Sequence, residues 1–395
     1  MLNKKTVRDV SVKSKRVLLR CDLNVPLSKE DKNVITSDKR IIESLKTINY
    51  LVSAGAKVVI CSHLGKTGQN LSLAPVAKRL SELLEKEVPL ISDIFSKEAK
   101  ETIKNMKDSD VVLLENTRMY KEEEENDDEF SKKLASYGEI FVNDAFGSAH
   151  RAHASTVGVT KYLPSVAGFL IEKELDALDK GINDPVRPFL AILGGAKVSS
   201  KIGVINELLK KVDTLLIGGA MTYTFIKAMG GKVGASLVED DKLEVAKEIM
   251  KTAEENNVRL VLPVDNIVSR SEQDAEDVKI CPINDIEDGY IGVDIGPKTI
   301  LLFEKEIKQA KTVVWNGPLG VFEVKEFSNG TMSIVNAIAS LDIISIIGGG
   351  DSAAAVEKSG LEKSMTHVST GGGASLEFLE GKTLPGIAAL EDREN

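Results

Sequence analysis

Two kinds of residue follow the short apolar segments of this chain, and they divide between its halves. In the second half the apolar segments end in glycine clusters, at 194–195, 218–219, 348–350 and 371–373. In the first half they end in polar side chains, including Asp22, Asn24, His63 and Arg118. Ligands of parallel α/β sheets bind beyond the carboxyl ends of the strands. Bare backbone suits a polyphosphate, and polar side chains suit a small anion. We therefore expect the second half to bind a nucleotide and the first half to bind a small acid.

The segment 194–201 has the composition of a phosphate-binding loop. Glycines that follow a strand let backbone N–H groups approach phosphate oxygens, and a following helix N-terminus favours negative charge. Lys197 and Lys201 would point toward one anion if the helix begins near Ser199; the alternative is that both are ordinary surface lysines. The segment is not a Walker A loop. The Gly-Lys-Thr at 65–67 has Ile60 where that motif needs its first glycine.

Two carboxylates in the second half have candidate roles. Asp351 follows Gly348-Gly349-Gly350 and could hold the Mg²⁺ that bridges nucleotide phosphates. The alternative is that Asp351 is a plain helix N-cap. Glu323, at the end of the segment 315–323, could accept hydrogen bonds from ribose hydroxyls.

The first half offers a set of side chains suited to a small acid, namely Asp22, Asn24, Arg40, His63, Arg118 and Arg151. Arginine binds carboxylates and phosphates with a fork of donors, so three arginines fit a doubly anionic three-carbon acid. Asp22 and Asn24 could bind a hydroxyl and orient the arginines. His150 and His153 are three residues apart, but no acidic partner follows metalloprotease spacing, so metal ligation is not favoured.

The elements that must position these residues alternate between short β-rich segments and helical ones. Apolar spacing predicts helices over 38–52, 73–84 and 200–212, and Gly55 is typical of a residue that ends a helix. Alternation on both sides of the middle predicts parallel sheets with helices on both faces. The best boundary lies at 168–188, where helical spacing over 171–180 meets Gly, Asn, Asp and Pro.

Composition excludes several classes of protein. The chain has 395 residues, 42% of them hydrophobic and 28% charged, so we expect two or three domains with sizeable cores. The net charge is −9, and seven carboxylates lie in the run 122–129, which we expect to be a solvated loop or helix start. Three widely spaced cysteines predict a reducing cytosol. We find no basic stripe, signal peptide or membrane-length apolar segment, and expect neither nucleic-acid nor membrane partners.

Taken together and in order, eight segments resemble those of the phosphoglycerate kinase family from end to end. They are RCDLNVPL (20–27), SHLGK (62–66), LLENTR (113–118), FVNDAFGSAHRAHAS (141–155), AILGGAKVSSKI (191–202), VVWNGPLGVFE (313–323), IIGGGDSAAA (346–355) and STGGGASLEFLEGK (369–382). The resemblance implies a transferase of glycolysis with a carboxyl group as acceptor. Its substrates would be 1,3-bisphosphoglycerate and ADP, its products 3-phosphoglycerate and ATP, and its cofactor Mg²⁺.

The resemblance also implies which residues form the sites. The phosphoglycerate site would comprise Asp22, Leu23, Asn24, Arg40, His63, Leu64, Gly65, Lys66, Arg118 and Arg151. The nucleotide site would comprise Lys201, Gly292, Asn316, Glu323, Gly349, Gly350, Asp351 and Ser352, with Asp351 on the metal. The catalytic set would be Arg40, Lys197, Gly371, Gly372 and Gly373. Lys66 stands where many members have arginine, which keeps the charge but loses the bidentate geometry.

The implied fold is α/β, with two Rossmann-like, doubly wound parallel-sheet lobes joined by a helical hinge. The phosphoglycerate lobe would span 1–170, the connecting helix and hinge 171–187, and the nucleotide lobe 188–378. A C-terminal tail, 379–395, would return to the first lobe. The protein would be a cytoplasmic monomer whose lobes close to allow direct in-line transfer.

The acid's reacting oxygen is a carboxylate that is already ionised at neutral pH, so no general base is needed. Catalysis would then rest on positioning and on neutralising charge. Two other classes also predict paired lobes. A two-lobed binding protein usually carries a secretory signal, and a nicotinamide dehydrogenase needs a G-x-G-x-x-G turn with an acidic residue about 20 positions later. Neither feature is found in this chain.

Overall fold

Two six-stranded sheets organise the chain, and every strand pair within them is parallel. The computed structural model describes residues 3–273, 275 and 277–393. These residues divide into two units. The first runs to Asp176 and includes the segment from Thr383 onward, and the second is Ala177–Lys382.

The sheet of the first unit has the order β3-β4-β2-β1-β5-β6. Its strands are β1 (Arg16–Arg20), β2 (Lys57–Cys61), β3 (Leu90–Ile91), β4 (Val111–Leu114), β5 (Ile140–Asn143) and β6 (Ser165–Ala167). Its helices are α1 (Lys39–Ser53), α2 (Ala74–Leu84), α3 (Lys97–Lys104), α4 (Lys121–Glu124), α5 (Asp128–Ala135) and α6 (Phe169–Ile182), the last of which continues into the second unit. Strands β4 and β5 are buried at every position, as expected of strands covered on both faces.

The main sheet of the second unit has the order β10-β8-β7-β15-β16-β17. The strands of this unit are β7 (Phe189–Leu193), β8 (Thr214–Ile217), β9 (Lys232–Val233), β10 (Arg259–Val261), β11 (Asp265–Ser269), β12 (Lys279–Pro282), β13 (Asp285–Ile286), β14 (Ile291–Ile295), β15 (Thr312–Asn316), β16 (Ile344–Gly348) and β17 (His367–Val368). Its helices are α7 (Ile202–Leu208), α8 (Thr222–Ala228), α9 (Leu243–Glu255), α10 (Pro297–Ile307), α11 (Asn329–Ala339), α12 (Gly350–Ser359) and α13 (Gly373–Leu379). Two small sheets, β12-β11-β14 and β13-β9, complete it.

The C-terminal segment adds a short helix, α14 (Pro385–Ala388), to the first unit. The Gly386 N–H donates to the Ala149 carbonyl over 2.8 Å, and the Glu391 N–H donates to the Ser165 carbonyl over 2.9 Å. Leu384, Ile387 and Leu390 of this segment are buried. The segment therefore contributes apolar surface to a core that is otherwise built from the first 176 residues.

Hydrophobic spacing predicted four helical segments, and each of them contains a helix. Helices α1, α2 and α6 occupy the predicted segments, and Gly55 has φ of +75° just beyond the end of α1. The segment 200–212 is helical only over Ile202–Leu208, so Lys201 is the N-cap and not part of a first turn. Just under half of the predicted segment is therefore not α-helical, because turns precede and follow α7.

The interpretation of the acidic run as solvated was wrong at one residue. Glu123 lies in α4 and is fully buried, whereas its neighbours Glu124 and Glu125 are exposed. Cys21 and Cys61 are buried side chains within the first unit. Among the described residues, no helix is both long enough and apolar enough to cross a bilayer.

Candidate active site

The polar side chains of the first unit follow four strands that are neighbours in the sheet order β4-β2-β1-β5. Asp22 and Asn24 follow β1, and His63 follows β2. Arg118 follows β4, and Arg151 follows β5. Because parallel strands end at one edge of the sheet, this order brings residues far apart in sequence to the same edge. The topology explains why the first-half candidates can act as one site.

Arg40, in the first turn of α1, is paired with Asp22. Its Nη1 atom lies 2.5 Å from Oδ2 of Asp22, whose side chain is 8% exposed. Burial alone would raise the pKa of Asp22, but the positively charged Arg40 and Arg20, with a contribution from His63, outweigh it and lower that pKa to about 2. Asp22 is therefore ionised at every physiological pH. It holds the Arg40 guanidinium beside the strand end.

The loop 62–66 is fastened by the two candidates on either side of it. The Gly65 N–H donates to Oδ1 of Asn24 over 2.8 Å, and Nη1 of Arg118 donates to the Gly65 carbonyl over 2.6 Å. Leu23 and Leu64 are buried. Their N–H groups donate within the protein, to Oγ of Ser62 and Oδ1 of Asn116 respectively. These two leucines therefore shape the site by packing and by fixing the loop.

Positive charges crowd together at this edge. Burial lowers the pKa of Arg118, and the charge of Arg151 lowers it further. Burial and the charge of Arg118 likewise lower the pKa of His153 to about 4. Like charges held together in a partly buried cleft favour an anion that would relieve their repulsion. Lys66 is exposed, and its N–H donates to Oε1 of Gln69 over 2.8 Å.

Two residues that support the site were not singled out from the sequence. Asn116 accepts from the N–H groups of Leu64 and Arg118 and donates from Nδ2 to the carbonyls of Leu64 and Leu71. Arg20, at the end of β1, is 1% exposed and donates to Oγ of Ser155 over 2.8 Å. Each lies inside a segment quoted above, two residues before a chosen candidate. Their hydrogen bonds within the protein, which the sequence does not show, identify them as supporting residues.

The candidates of the second unit surround a cavity of about 340 Å³ at the ends of β7, β15, β16 and β17. Its lining comprises Gly195, Ala196, Ser200, Lys201, Asn316, Gly317, Pro318, Gly349, Gly350, Asp351, Ser352, Gly372, Gly373 and Leu376. These four strands are neighbours in the sheet. Eight of the predicted residues are thereby brought together: Lys201, Asn316, Gly349, Gly350, Asp351, Ser352, Gly372 and Gly373.

Lys201 is the cation in the lining of this cavity. Burial lowers its pKa, and the negative charges of Asp351 and Glu380 partly oppose that effect. Its Nζ donates to Oδ1 of Asn316. The Nδ2 of Asn316 is buried and has no hydrogen-bond partner within the described chain. An unpaired buried donor is costly, so an acceptor oxygen of a ligand in this cavity would be stabilised there.

Gly349 illustrates why glycine follows β16. Its φ is +87°, and a Cβ at this position would lie 2.9 Å from Nδ2 of Asn316. A larger residue would therefore be strained and would crowd the cavity. The N–H groups that follow, at the start of α12, are left without intrahelical acceptors and suit an anion.

Asp351 is exposed in the first turn of α12 and lines the same cavity. A hard divalent cation such as Mg²⁺ takes oxygen ligands and binds through one or two carboxylates plus phosphates and water. One carboxylate beside a phosphate-sized cavity fits that requirement. Ser352 is buried, and its Oγ accepts from the Gly317 N–H over 2.6 Å. No group of three or more His, Cys, Asp or Glu residues able to hold a metal occurs in the described part of the chain.

Four predicted residues of the second half do not line this cavity. Lys197 is exposed in the loop between β7 and α7, and Glu323 is exposed beyond β15. Gly371 is buried, and its N–H donates to Oγ of Ser369. Gly292 lies on β14, where its N–H donates to Oγ of Ser236 and a Cβ would overlap Oη of Tyr223. Their candidate roles depend on a ligand that extends beyond the cavity.

Comparisons with known proteins agree along the whole chain. A family model described as phosphoglycerate kinase matches residues 7–382. The phosphoglycerate kinase of Clostridium tetani (strain Massachusetts / E88) is 56% identical, with 99% of this chain and 98% of the relative covered. That of Clostridium novyi (strain NT) is 58% identical, with 99% and 100% covered.

Solved structures are similar over the same length. The phosphoglycerate kinase of Coxiella burnetii superposes with a TM-score of 0.88 at 42% identity, covering 98% of both chains. That of Pyrococcus horikoshii OT3 superposes with a TM-score of 0.85 at 35% identity, again covering 98% of both. With these matches added to the sheet order and the two sets of anion-binding groups, the chain belongs to the phosphoglycerate kinase family.

Proposed function

We propose that this chain is a Mg²⁺-dependent phosphoglycerate kinase that transfers a phosphoryl group reversibly from 1,3-bisphosphoglycerate to ADP, giving 3-phosphoglycerate and ATP. The observation that carries the proposal is the pairing of two different anion sites in one chain. One site is an arginine cluster at the end of the first sheet. The other is a glycine-lined cavity with one lysine and one aspartate at the end of the second sheet.

The first unit is proposed to bind the phosphoglycerate. The arginine cluster carries the positive charge that a carboxylate and a phosphate need, and Arg40 is already oriented by its ion pair with Asp22. Because Asp22 remains ionised, it can also accept a hydrogen bond from the substrate hydroxyl. His63 and Gly65 complete the site. Leu23 and Leu64 bound it, and Lys66 adds an exposed positive charge at its edge.

The second unit is proposed to bind the nucleotide, with its phosphates in the cavity. Backbone N–H groups at 349–352 and 372–373 would donate to phosphate oxygens, together with Lys201 and Nδ2 of Asn316. Asp351 would hold Mg²⁺, which when bound offsets the negative charge of the phosphates. Gly292 and Glu323 are proposed to contact the nucleoside, outside the phosphate cavity.

Transfer requires little chemistry from the protein. The nucleophile or leaving group on the acid is a carboxylate, so no side chain has to remove a proton before attack. Arg40, Lys197 and the N–H groups of Gly372 and Gly373 are proposed to stabilise the charge on the phosphoryl group as it moves, while Gly371, whose N–H is bonded to Ser369, is proposed to shape the turn that presents them. Since each ligand is assigned to a different unit, the reaction also requires the two ligands to be brought into line.

Each predicted ligand set comes from a single chain, which supports a monomer as the active form. All three cysteines are free thiols, which supports the reducing conditions of the cytoplasm as the place of action.

A coupled assay tests the proposed function directly. Purified protein with 3-phosphoglycerate, ATP and Mg²⁺ should form 1,3-bisphosphoglycerate, which glyceraldehyde-3-phosphate dehydrogenase reports as NADH oxidation. Omitting either substrate gives the background. A rate equal to that background in the complete mixture would contradict the proposal.

A further inference from the structure

One carboxylate of the acidic run is enclosed by the protein. Glu123, in α4, has no exposed surface. It accepts a hydrogen bond from the Ser155 N–H over 3.0 Å and a second from the Ser155 hydroxyl. Burial raises the pKa of Glu123, while the charge of Arg20 and the hydrogen bonds from Ser155 lower it. A buried carboxylate is costly, so its retention here calls for a partner that needs a negative charge.

That partner is the buried guanidinium of Arg20. The Ser155 hydroxyl, which donates to Glu123, accepts from Nε of Arg20 over 2.8 Å. Nη1 of Arg20 donates to the Cys21 carbonyl, and Nη2 lies 3.0 Å from Nδ1 of His63. All three guanidinium nitrogens, Nε, Nη1 and Nη2, therefore have a partner inside the protein. With 1% exposure, Arg20 is placed to hold its neighbours and not to contact a ligand.

The contact with Arg20 determines the state of His63. A guanidinium can only donate, so Nδ1 of His63 must be the acceptor and cannot carry a proton. The neutral ring then carries its proton on Nε2. His63 is 4% exposed and follows β2, at the strand edge proposed to bind phosphoglycerate.

The charges around His63 favour the same state. Asp22 faces it and would stabilise a protonated ring, but Arg20, Arg118 and Arg40 also face it and disfavour a further positive charge. Burial acts in the same direction as the arginines, and together they lower the pKa of His63 well below its usual range. The ring is thus a neutral donor among cations.

We propose that Glu123 is a positioning residue, which acts through Ser155 and Arg20 to hold His63 as a neutral ring with its proton on Nε2, ready to donate to the bound phosphoglycerate. The proposal rests on the function proposed above. Its distinctive content is that a carboxylate with no access to the substrate controls substrate binding. Glu123 does so by neutralising the buried charge of Arg20. Loss of the Glu123 carboxylate should therefore weaken binding of the acid and leave binding of the nucleotide unchanged.

Glu123→Gln is the informative variant, and Glu125→Gln is its matched control. Both changes replace a carboxylate by an amide in the same short segment, but Glu125 is exposed. In Glu123→Gln the Arg20 charge loses its buried counter-charge and the amide nitrogen cannot accept from Ser155. We expect the KM for 3-phosphoglycerate to rise about tenfold while the KM for ATP changes less than about twofold. Glu125→Gln should match the wild type in both constants.

A second measurement determines the tautomer and protonation state of His63 by NMR, without any catalytic turnover. In the long-range ¹H–¹⁵N spectrum of histidine rings, His63 of the ligand-free wild type should show one unprotonated Nδ1 and one protonated Nε2 from pH 5 to 8. A His63→Gln sample assigns the signal. In Glu123→Gln the ring should stay neutral, because loss of a negative charge does not favour its protonation, but a less firmly held Arg20 should let that pattern give way to a mixture of the two neutral tautomers.

Ser155→Ala keeps the charge of Glu123 but removes the hydroxyl between Glu123 and Arg20, so it decides the matter if Glu123→Gln does not fold. We expect the same selective rise in the KM for 3-phosphoglycerate and the same spectral change. An unchanged KM for 3-phosphoglycerate with an unchanged His63 spectrum would overturn the proposal, as would equal rises in both KM values. If the wild type lacks kinase activity, the proposed function fails, whereas the spectra of the free protein still test the tautomer.

Discussion

The two candidate sites differ in their balance of positive and negative charge. In the first unit burial and the charges of Arg151 and Arg20 lower the pKa of Arg118, and Glu124, 3.4 Å from its Nε, opposes that shift only in part. In the second unit Lys201 faces Asp351, whose negative charge supports its protonated form. The first site therefore has unmatched positive charge and favours a free dianion. The second is nearly balanced, which suits phosphates that arrive with a cation.

Lys197 is the single side chain on which we expect turnover to depend most. It is exposed and makes no contribution to a core, so Lys197→Ala should leave the far-UV spectrum and the unfolding midpoint unchanged. Loss of a donor that stabilises the phosphoryl group in transfer should lower kcat about a hundredfold or more. Steady-state kinetics in the coupled assay measures this.

Lys308→Ala is the control for that change, because Lys308 is also exposed and lies at the end of α10, outside both candidate sites. Its kcat should equal that of the wild type. Near-normal turnover of Lys197→Ala would remove this lysine from the catalytic set.

At the scale of elements, the turn that joins β16 to α12 is shaped for a ligand. Gly349 has positive φ and lies against Asn316, whereas Gly360, at the other end of α12, has positive φ with open space around it. Gly360 has ψ of +6° and lies in the αL region, whereas Gly349 has ψ of +147°, in a region nearly confined to glycine, and only Gly349 borders the cavity.

Alanine substitutions separate the energetic cost of a side chain at positive φ from the effect of a side chain beside the cavity. Gly360→Ala should lower the free energy of unfolding by about 1 kcal/mol, because it places a side chain in the αL region, and Gly349→Ala should lower it by more, on the order of 2–3 kcal/mol, because its backbone conformation is nearly confined to glycine. Only Gly349→Ala should raise the KM for ATP, by about tenfold or more, since its methyl group would crowd Nδ2 of Asn316. Urea unfolding and substrate kinetics supply the two measurements. A similar KM for ATP in both variants would argue against phosphate binding at this turn.

Helix α6 depends on a buried carboxylate that should respond to pH. Oδ1 of Asp144 accepts from the N–H groups of Leu170 and Ile171, in the first turn of the helix. Burial raises the pKa of Asp144 to about 6, although hydrogen bonds from Thr47 and Leu170 oppose the shift. In the unfolded chain the value is near 4, so the folded state binds the proton more tightly. Stability conferred by that proton is present below about pH 4 and is lost as the pH rises toward 6 and beyond.

Asp144→Asn removes this titration. Between pH 4 and pH 7 we expect the free energy of unfolding of the wild type to fall, relative to the variant, by on the order of 3 kcal/mol. Urea unfolding followed by circular dichroism at both pH values measures the difference. Asp93→Asn is the control, since Asp93 is exposed and also accepts a backbone N–H. Parallel pH profiles for the wild type and Asp144→Asn would contradict the expectation.

For the whole molecule, the proposed assignment of one ligand to each unit has a mechanical consequence. A phosphoryl group passes directly between two ligands only if they come within bonding distance, so binding of both should favour a closed form. We expect the radius of gyration from small-angle X-ray scattering to be smaller with 3-phosphoglycerate and a non-hydrolysable ATP analogue together than with either alone. Equal radii in all mixtures would contradict closure.

Much of this molecule could be predicted from its sequence because parallel α/β folds place chemistry at strand ends. Apolar segments followed by Asp22, His63 or Arg118 indicated both the strands and the candidate residues, and the helices α1 and α2 followed from their apolar spacing. Residues whose role depends on burial could not be found in this way. Glu123 has three acidic neighbours in sequence, and only the chain folding over it at Ser155 distinguishes it from them. Gly292 likewise needed the position of Tyr223 to be understood.

The chain contains one tryptophan, Trp315, which lies fully buried on β15 and donates from Nε1 to the Gly317 carbonyl over 2.7 Å. Indole emission is therefore a reporter of the second unit alone, and its source is adjacent in sequence to Asn316. Tryptophan fluorescence during denaturation would therefore report the unfolding of the second unit and not that of the first. If the fluorescence transition does not coincide with one measured on the whole chain, the two units unfold in separate cooperative steps. No added dye is needed for this comparison.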